Sequence, residues 1–438
     1  MKRDENGQRI LSTEVTKMQK GWKKIGLVLV SLGLALALIL GSVVPSQAAP
    51  AEERVVKMGV HGVFTGPIAD IGVPMSRGVI DYLRYVNEQG GIDGVKVDIK
   101  WEDTRAEVPR AITAHKRFKV AGVVIEWCCW SSQLETLAPA MQRDETPFVA
   151  YNTYTPAMWT DPLRWIFVPF PSWDCVAQVL GDWVKKNWTE ERPPRIGYIF
   201  HDHPSAWGTK DGFVEYAPEG GAEFIGYEVV PMMGTIDTST EWLRMARKRP
   251  DWIYVFAYGT TMVTLVKDAD RLEIREKGIK LFAGPSCVDE ASAKVMGKSA
   301  EGWYTLLPTG VNSQIDELLG IKTAVEAGVK YRGYKPEGVS LGYIGGWNTA
   351  QIMVEGVRIA LEKVEYENLT GHDVRDALCS IRNFDTGLLP SPSTITNERP
   401  WFADEAFIFI LKKGRLWAVD QMKATWYPSW LREKLGLE

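Results

Sequence analysis

"EWCCWSSQLETLAPAMQRDETPFVAYNTYTP", residues 126–156, decides how this chain is read. It opens on the end of an apolar run, "AGVVIEW" (121–127), and turns through two cysteines, a tryptophan and two serines. Leu134, Leu137, Ala138 and Met141 then fall on one helical face, and a second apolar run, "PFVA", follows. An apolar run of four to eight residues fits a buried strand, and spacings of three and four fit an amphipathic helix. The segment is therefore a strand, a turn, a helix starting near Ser132 and a second strand. Strands joined through a helix run parallel, with a right-handed crossover.

The rhythm continues outward on both sides. Upstream, "RVVKMGVHGVF" (54–64) reads as a strand ending in the turn "TGP". "VPMSRGVIDYLRYVNEQGG" follows as a helix, with Met75, Val79, Leu83 and Val86 on one face and Gly90 and Gly91 closing it. "VKVDIKW" alternates as a strand with one polar face, and a basic amphipathic helix spans 106–119. Downstream, the Pro-rich "VPFPSWD" (168–174) interrupts the pattern, which then restarts. "RIGYIF", "AEFIGYEVV", "WIYVFAY" and "IKLFAG" are strands, with "TEWLRMARKRP" and "TTMVTLVKDADRL" among the helices between them. "WYTLLP" (303–308) leads into two long helical segments, "SQIDELLGIKTAVEA" and "SLGYIGGWNTAQIMVEGVRIALEKV". A helix capped by Thr370 follows, and "AFIFILKKGRLWAVD" reads as a hairpin turning at Lys413–Gly414. The expected class is α/β, with two parallel sheets flanked by helices.

The N-terminus indicates the compartment. Residues 1–24 carry seven basic and three acidic side chains, and the uncharged run "IGLVLVSLGLALALIL" (25–40) comes next. Small residues at Ser46 and Ala48 complete a secretory signal cleaved after Ala48. An uncleaved N-terminal anchor is the alternative, although 16 apolar residues fall short of the roughly 17–25 of a membrane span. Without residues 1–48, 7 of 51 basic and 3 of 55 acidic residues are lost, leaving 44 against 52 and a net charge of −8. That balance argues against nucleic acid or an anionic membrane as partner. The remaining 390 residues or so exceed one core and imply two domains.

Chemical motifs are sparse. Cys128, Cys129, Cys175, Cys287 and Cys379 form no C-x-x-C, and adjacent cysteines on an extended strand point to opposite faces. They are expected to be structural, binding no metal. His201 and His203 in "HDHPSAWG" are expected to be solvated in a polar turn. No nucleophile elbow, phosphate loop, H-E-x-x-H or dinucleotide fingerprint is present, so neither an enzyme nor a cofactor is expected. Ser131 and Ser132 sit where a strand hands over to a helix. They could cap the helix, or with its free N–H groups hold a carboxylate.

Eight segments in order carry a resemblance: "VKMGVHGVFTGPIADIGVPMSRGV", "YVNEQGGIDG", "WEDT", "GYIFHDHPSAWGTKDGF", "DWIYVFAYGTTMVTLVKDA", "FAGPS", "LTGHDVRDAL" and "FDTGLLP". Together they resemble the substrate-binding proteins of branched-chain amino acid (leucine/isoleucine/valine-type) ABC transporters, which have the type I periplasmic binding fold. The resemblance implies two lobes joined by three crossovers, placed near Pro171, Leu307 and Leu389. The first lobe would comprise 49–171 and 308–389, and the second 172–307 and 390–438 with the C-terminal tail. It further implies a small-molecule ligand in the interlobe cleft, ABC permease subunits as partners and a periplasmic or extracellular location.

The resemblance also implies a ligand set: a carboxylate held at Ser131 and Ser132, hydroxyl or backbone contacts from Asn152, Thr153 and Thr155, and aromatic cover from Trp207 and Tyr258, with Trp127, Trp130 and Trp207 making the cleft flat and apolar. The family's usual carboxylate for the ligand ammonium falls on Ser286. Either Asp289 or Glu290 replaces it, or the ligand lacks an amine. The cysteine pair that some relatives bond across the first lobe is missing. The expected ligand is a small carboxylate-bearing solute, aromatic or branched aliphatic, with an amino acid as a further option. A ligand sensor of the same fold is the alternative to a transport receptor; it would need a signalling domain, and none is expected on this chain.

Overall fold

A computed structural model describes residues 54–151, 155–159 and 164–437, with Glu5 besides them. The expected signal segment, residues 1–48, lies outside the described residues apart from Glu5. β1 (Val55–Gly62) is buried without a break from Met58 onward, as a central parallel strand covered on both faces must be. α1 (Ala69–Glu88) buries Met75, Val79, Leu83 and Val86, the stripe read from their spacing. β2 (Lys96–Asp103) is the half-exposed edge. α2 (Val108–Ala121) starts on Pro109 and stops at left-handed Gly122. β3 (Ile125–Cys128), α3 (Ser131–Asp144), β4 (Phe148–Ala150) and β5 (Ile166–Phe167) complete the first layer. Its strand order is β2-β1-β3-β4-β5, with every neighbouring pair parallel.

The chain then leaves the first sheet. Ser172 caps α4 (Trp173–Lys186), its hydroxyl accepting from Cys175 N. β6 (Arg195–His201), α5 (Pro204–Gly220), β7 (Glu223–Val230), α6 (Ser239–Arg247), β8 (Trp252–Phe256), α7 (Gly259–Arg271), β9 (Lys280–Ala283), α8 (Glu290–Met296) and β10 (Tyr304–Leu307) build a second layer. After β10 the chain returns to the first layer for three helices, α9 (Leu319–Arg332), α10 (Leu341–Leu361) and α11 (Gly371–Leu378). α9 and α10 pack on α1, and α11 packs on α10. The long helix expected from Ser313 begins only at Leu319. Val311 N is taken by the Gln314 side chain and the Ser313 hydroxyl donates to Leu416 O, so this stretch serves as a connection instead.

Further on, β11 (Glu405–Lys412) and β12 (Arg415–Lys423) join the second sheet as an antiparallel hairpin. Lys413 and Gly414, both at positive φ (52° and 69°), make its two-residue turn. α12 (Ser429–Leu435) ends the described chain. The second sheet runs β12-β11-β10-β9-β8-β6-β7. Residues Arg54–Glu438 pack as one unit, and among the described residues no helix is long and apolar enough to cross a membrane.

Where α1 crosses α10, no side chain fits between them. A Cβ on Gly78 would lie 2.1 Å from Tyr343 O, and one on Gly346 would lie 2.1 Å from Met75 O. The two glycines let the backbones touch. That contact closes the first layer on its α1 side.

Candidate functional site

Each sheet reverses its strand order once, between β1 and β3 in the first and between β6 and β8 in the second. Loops leaving such strands on opposite faces of the sheet open a crevice beyond the carboxyl ends, where open α/β sheets bind ligands. The turns at these points meet one another. Trp130, after β3, lies 5.0 Å (ring centroids) from His203, after β6, and 6.1 Å from Tyr258, after β8. One strand further along, Tyr151 follows β4 and Ser286 follows β9, and their hydroxyls lie 3.4 Å apart. Ser286 holds φ at 62°, a left-handed conformation that L-residues other than Asn and Asp adopt rarely.

Three cavities share Tyr151 and Ser286. The largest, about 360 Å³, lies between Asp70, Ile71 and Met75 of α1, Gly259 and Thr260 of α7, and Asp289 and Ser292. Its volume is within the range of small-molecule sites. Asp70 and Asp289 line it, and among the described residues no Lys, Arg or His does. Burial pushes the Asp70 carboxyl above its usual range, with Asp289 adding to the effect. Gly259 brings α7 close: a Cβ there would stand 3.4 Å from Asp70 Oδ2. A second cavity, of about 30 Å³, lies on the hinge side of Tyr151 and Ser286, against Phe170, Trp173, Pro308 and Asn348. The third, about 10 Å³, lies beside Cys129, Trp130 and Tyr258.

The expected site residues divide into groups. Trp130, Tyr258 and Ser286 come together around these cavities. Ser131 is fully buried at the first turn of α3, with no hydrogen-bond partner for its hydroxyl among the described residues. Neither Ser131 nor Ser132 lines any of the three cavities, and α3 starts at Ser131, one residue before the expected start. Asn152 and Thr153 lie outside the described residues. The Thr155 hydroxyl donates to Glu135 Oε1 at 2.7 Å, on the flank of α3. Trp207 donates from Nε1 to Asp202 at 2.7 Å and sets its edge on Phe200 and Tyr227, away from all three cavities.

Asp289 lines the large cavity while its Oδ1 caps α8 by accepting from Ser292 N. Glu290 lies elsewhere, buried near Leu416 and Arg415 of β12, and burial pushes its carboxyl up to about 7.

His201 and His203 were expected in solvent, but their side chains are buried, at 0% and 5% exposure. The turn that carries them faces the first layer, and their rings pack on each other at 5.6 Å and on Tyr258. Burial holds His201 at about 3 and His203 at about 4, so both are neutral at ordinary pH. All five cysteines are unbonded to one another, and burial pushes the Cys128 thiol up to about 12. Tyr151 and Asn348 escaped the sequence reading. Tyr151 sits in the quoted opening stretch, but only its contact across the cleft sets it apart. Asn348 had one available signal, a carboxamide on the apolar face of "LGYIGGWNTAQIMVEG".

A family model described as "Periplasmic binding protein" matches residues 55–412. The Leu/Ile/Val-binding protein of Escherichia coli (strain K12) is 24% identical over 311 residues, covering 69% of this chain and 79% of that protein. Among solved structures, a branched chain amino acid ABC transporter protein from Thermus thermophilus with bound valine superposes with a TM-score of 0.77. It is 18% identical and covers 87% of this chain and 98% of its own. An ABC-transporter solute binding protein from Rhodopseudomonas palustris BisB5, in complex with 3,4-dihydroxy benzoic acid, superposes with a TM-score of 0.70. It is 18% identical and covers 85% of this chain and 99% of its own.

Proposed function

The chain belongs to the periplasmic binding protein family, and on that footing we propose that it is an extracytoplasmic solute receptor delivering its ligand to the permease subunits of an ABC importer. The hinge would be the three passages between the sheets. The lobes would be residues 49–171 with 308–389, and 172–307 with 390–438. The relatives named for Leu, Ile and Val and the neighbours holding valine or a dihydroxybenzoate support a small carboxylate-bearing solute.

The observation that carries the choice among these is the charge of the large cavity. Two carboxylates, Asp70 and Asp289, line it, and among the described residues no cationic side chain does. A ligand bearing only a carboxylate would meet like charge there, whereas an ammonium would be paired. The reading is therefore an amino acid with a branched or aromatic side chain. Its ammonium faces Asp70 and Asp289. Its carboxylate faces the free N–H groups at the start of α7 (Gly259, Thr260), where the helix dipole also favours an anion. Asp289 then takes the role that Ser286 cannot.

Calorimetric titration of L-phenylalanine and L-valine against 3-phenylpropanoate and 3-methylbutanoate tests this. The amino acids should bind about tenfold to a hundredfold more tightly, as expected for a charge-assisted bond of roughly 1.5–3 kcal/mol. Asp70→Asn should narrow the gap. Acids binding as well as their amino analogues would remove the ammonium reading and leave a carboxylate receptor.

A further inference from the structure

The small inner cavity has features the outer one lacks. Leu341, Gly345, Asn348 and Thr349 project from one face of α10 into it, at spacings of four, three and one residues. Asn348 is fully buried, and neither its Nδ2 nor its Oδ1 has a hydrogen-bond partner among the described residues. Trp173 lines the same cavity, and its indole N–H is buried and likewise without a partner among the described residues. Buried polar groups are nearly always hydrogen-bonded, so two unpaired groups facing one void need an explanation. The Thr349 hydroxyl supplies none, because it donates to Gly346 O and accepts from Trp127 Nε1.

Size and charge narrow the occupant. By the measure in which one water needs roughly 10–15 Å³, the 30 Å³ present holds about two water-sized groups. Among the described residues no charged side chain lines the cavity, so an ionised group there would be buried without a partner from them. Between this chamber and the outer cavity stands the Tyr151–Ser286 contact, whose two residues line both. The Tyr151 ring lies where a Cβ on residue 345 would come within 2.3 Å of it, so glycine at 345 lets the ring occupy this boundary.

We propose that the inner chamber is a specificity subsite for a neutral hydroxyl at the far end of the ligand's side chain. The ligand parts the Tyr151–Ser286 contact, and its hydroxyl donates to Asn348 Oδ1 and accepts from Asn348 Nδ2 or Trp173 Nε1. A carboxamide both donates and accepts, and a hydroxyl does the same. The proposal rests on the reading of the outer cavity for the ligand's body and adds the class of its tail.

Matched pairs separate the two parts: L-tyrosine with L-phenylalanine, L-threonine with L-valine, and 4-hydroxybenzoate with benzoate. Each is titrated into the full-length protein and into Asn348→Leu and Asn348→Ala. In the wild type, the hydroxylated member of at least one pair should bind about tenfold or more tightly, since a site built to hydrogen-bond a hydroxyl rejects the analogue lacking it. Both variants should bring that ratio to within about twofold by weakening only the hydroxylated member. In the ligand-free protein, Asn348→Leu should keep or raise the melting temperature, because it removes unpaired polar atoms. Equal binding within every pair, a ratio that survives both variants, or a melting temperature lowered in both would overturn the subsite. A hydroxyl preference confined to the benzoates would uphold the subsite and overturn the ammonium reading. Binding of the amino acids without hydroxyl preference would do the reverse, and failure of every pair to bind would overturn both.

Discussion

At the scale of single residues, the buried polar atoms near the cleft set the expectations. The Ser131 hydroxyl is buried and has no partner among the described residues, so removing it costs the ligand-free protein no hydrogen bond to them. Ser131→Ala should leave stability unchanged or raise it by up to about 1 kcal/mol in urea unfolding. A loss above that size would show that the hydroxyl bonds within the protein. His201 and His203 make acid the weak side of the molecule. Folded, they titrate at about 3 and about 4, whereas in the unfolded chain they titrate near 6.5. Below 6.5 the unfolded state binds more protons, so stability is whole above that pH and falls as the pH drops toward 4 and then 3. The slope reaches about 1.4 kcal/mol per pH unit for each histidine. His201→Phe should flatten the fall in melting temperature between pH 6.5 and 4; an unchanged profile would place the acid sensitivity elsewhere. The histidines also mark a limit of sequence reading, since "HDH" has the composition of a wet turn. What buries it is Trp130, which stands 73 positions earlier than His203. Glu126, in the opening stretch, is a parallel case. It lies in a buried strand because His61 (2.5 Å) and His115 (2.9 Å) bond both its oxygens, and neither histidine is its neighbour in sequence.

At the scale of elements, periodicity read well where burial is one-sided or continuous. The stripe Met75, Val79, Leu83, Val86 is buried as its spacing requires, Thr370 caps its helix with Asp373 in return, and the hairpin turns at Lys413–Gly414. Periodicity failed at 313–318, where side chains bond the backbone of a connection and the apolar residues serve a layer boundary rather than a helix face. The α1–α10 crossing was invisible for another reason: "GVIDYL" shows one glycine in a helix and "YIGGWN" two, and nothing local says that Gly78 and Gly346 lie at one crossing. Overpacking in a filled core costs roughly 1–3 kcal/mol. With the Cβ of an alanine 2.1 Å from a carbonyl oxygen, Gly346→Ala and Gly78→Ala should each lose about 3 kcal/mol, read from urea midpoints. A variant within about 0.5 kcal/mol of wild type would mean that the helices can part.

At the scale of the whole molecule, two layers share one strand order near their switch points and meet through their turns. The resemblance anticipated this architecture. Which turn residues would touch was legible only in part, because Trp130, Tyr258 and Ser286 met as a group while Thr155 and Trp207 turned to their own layers. If the passages between the sheets act as a hinge, small-angle scattering should show the ligand-saturated protein, without residues 1–48, near the radius of gyration of a compact chain of about 390 residues, about 21 Å. Without ligand the value should be larger; identical values would count against the hinge. The α1–α10 contact also imposes an order in time. The surface of α1 that α10 covers is made early, yet α10 begins 253 residues after α1 ends. At roughly 5–20 residues per second, a ribosome leaves that surface without its cover for on the order of 13–50 s. During that interval the nascent first layer shows Met75 and Gly78 to any protease or holdase nearby, so this vulnerable period lasts until residues 341–361 exist.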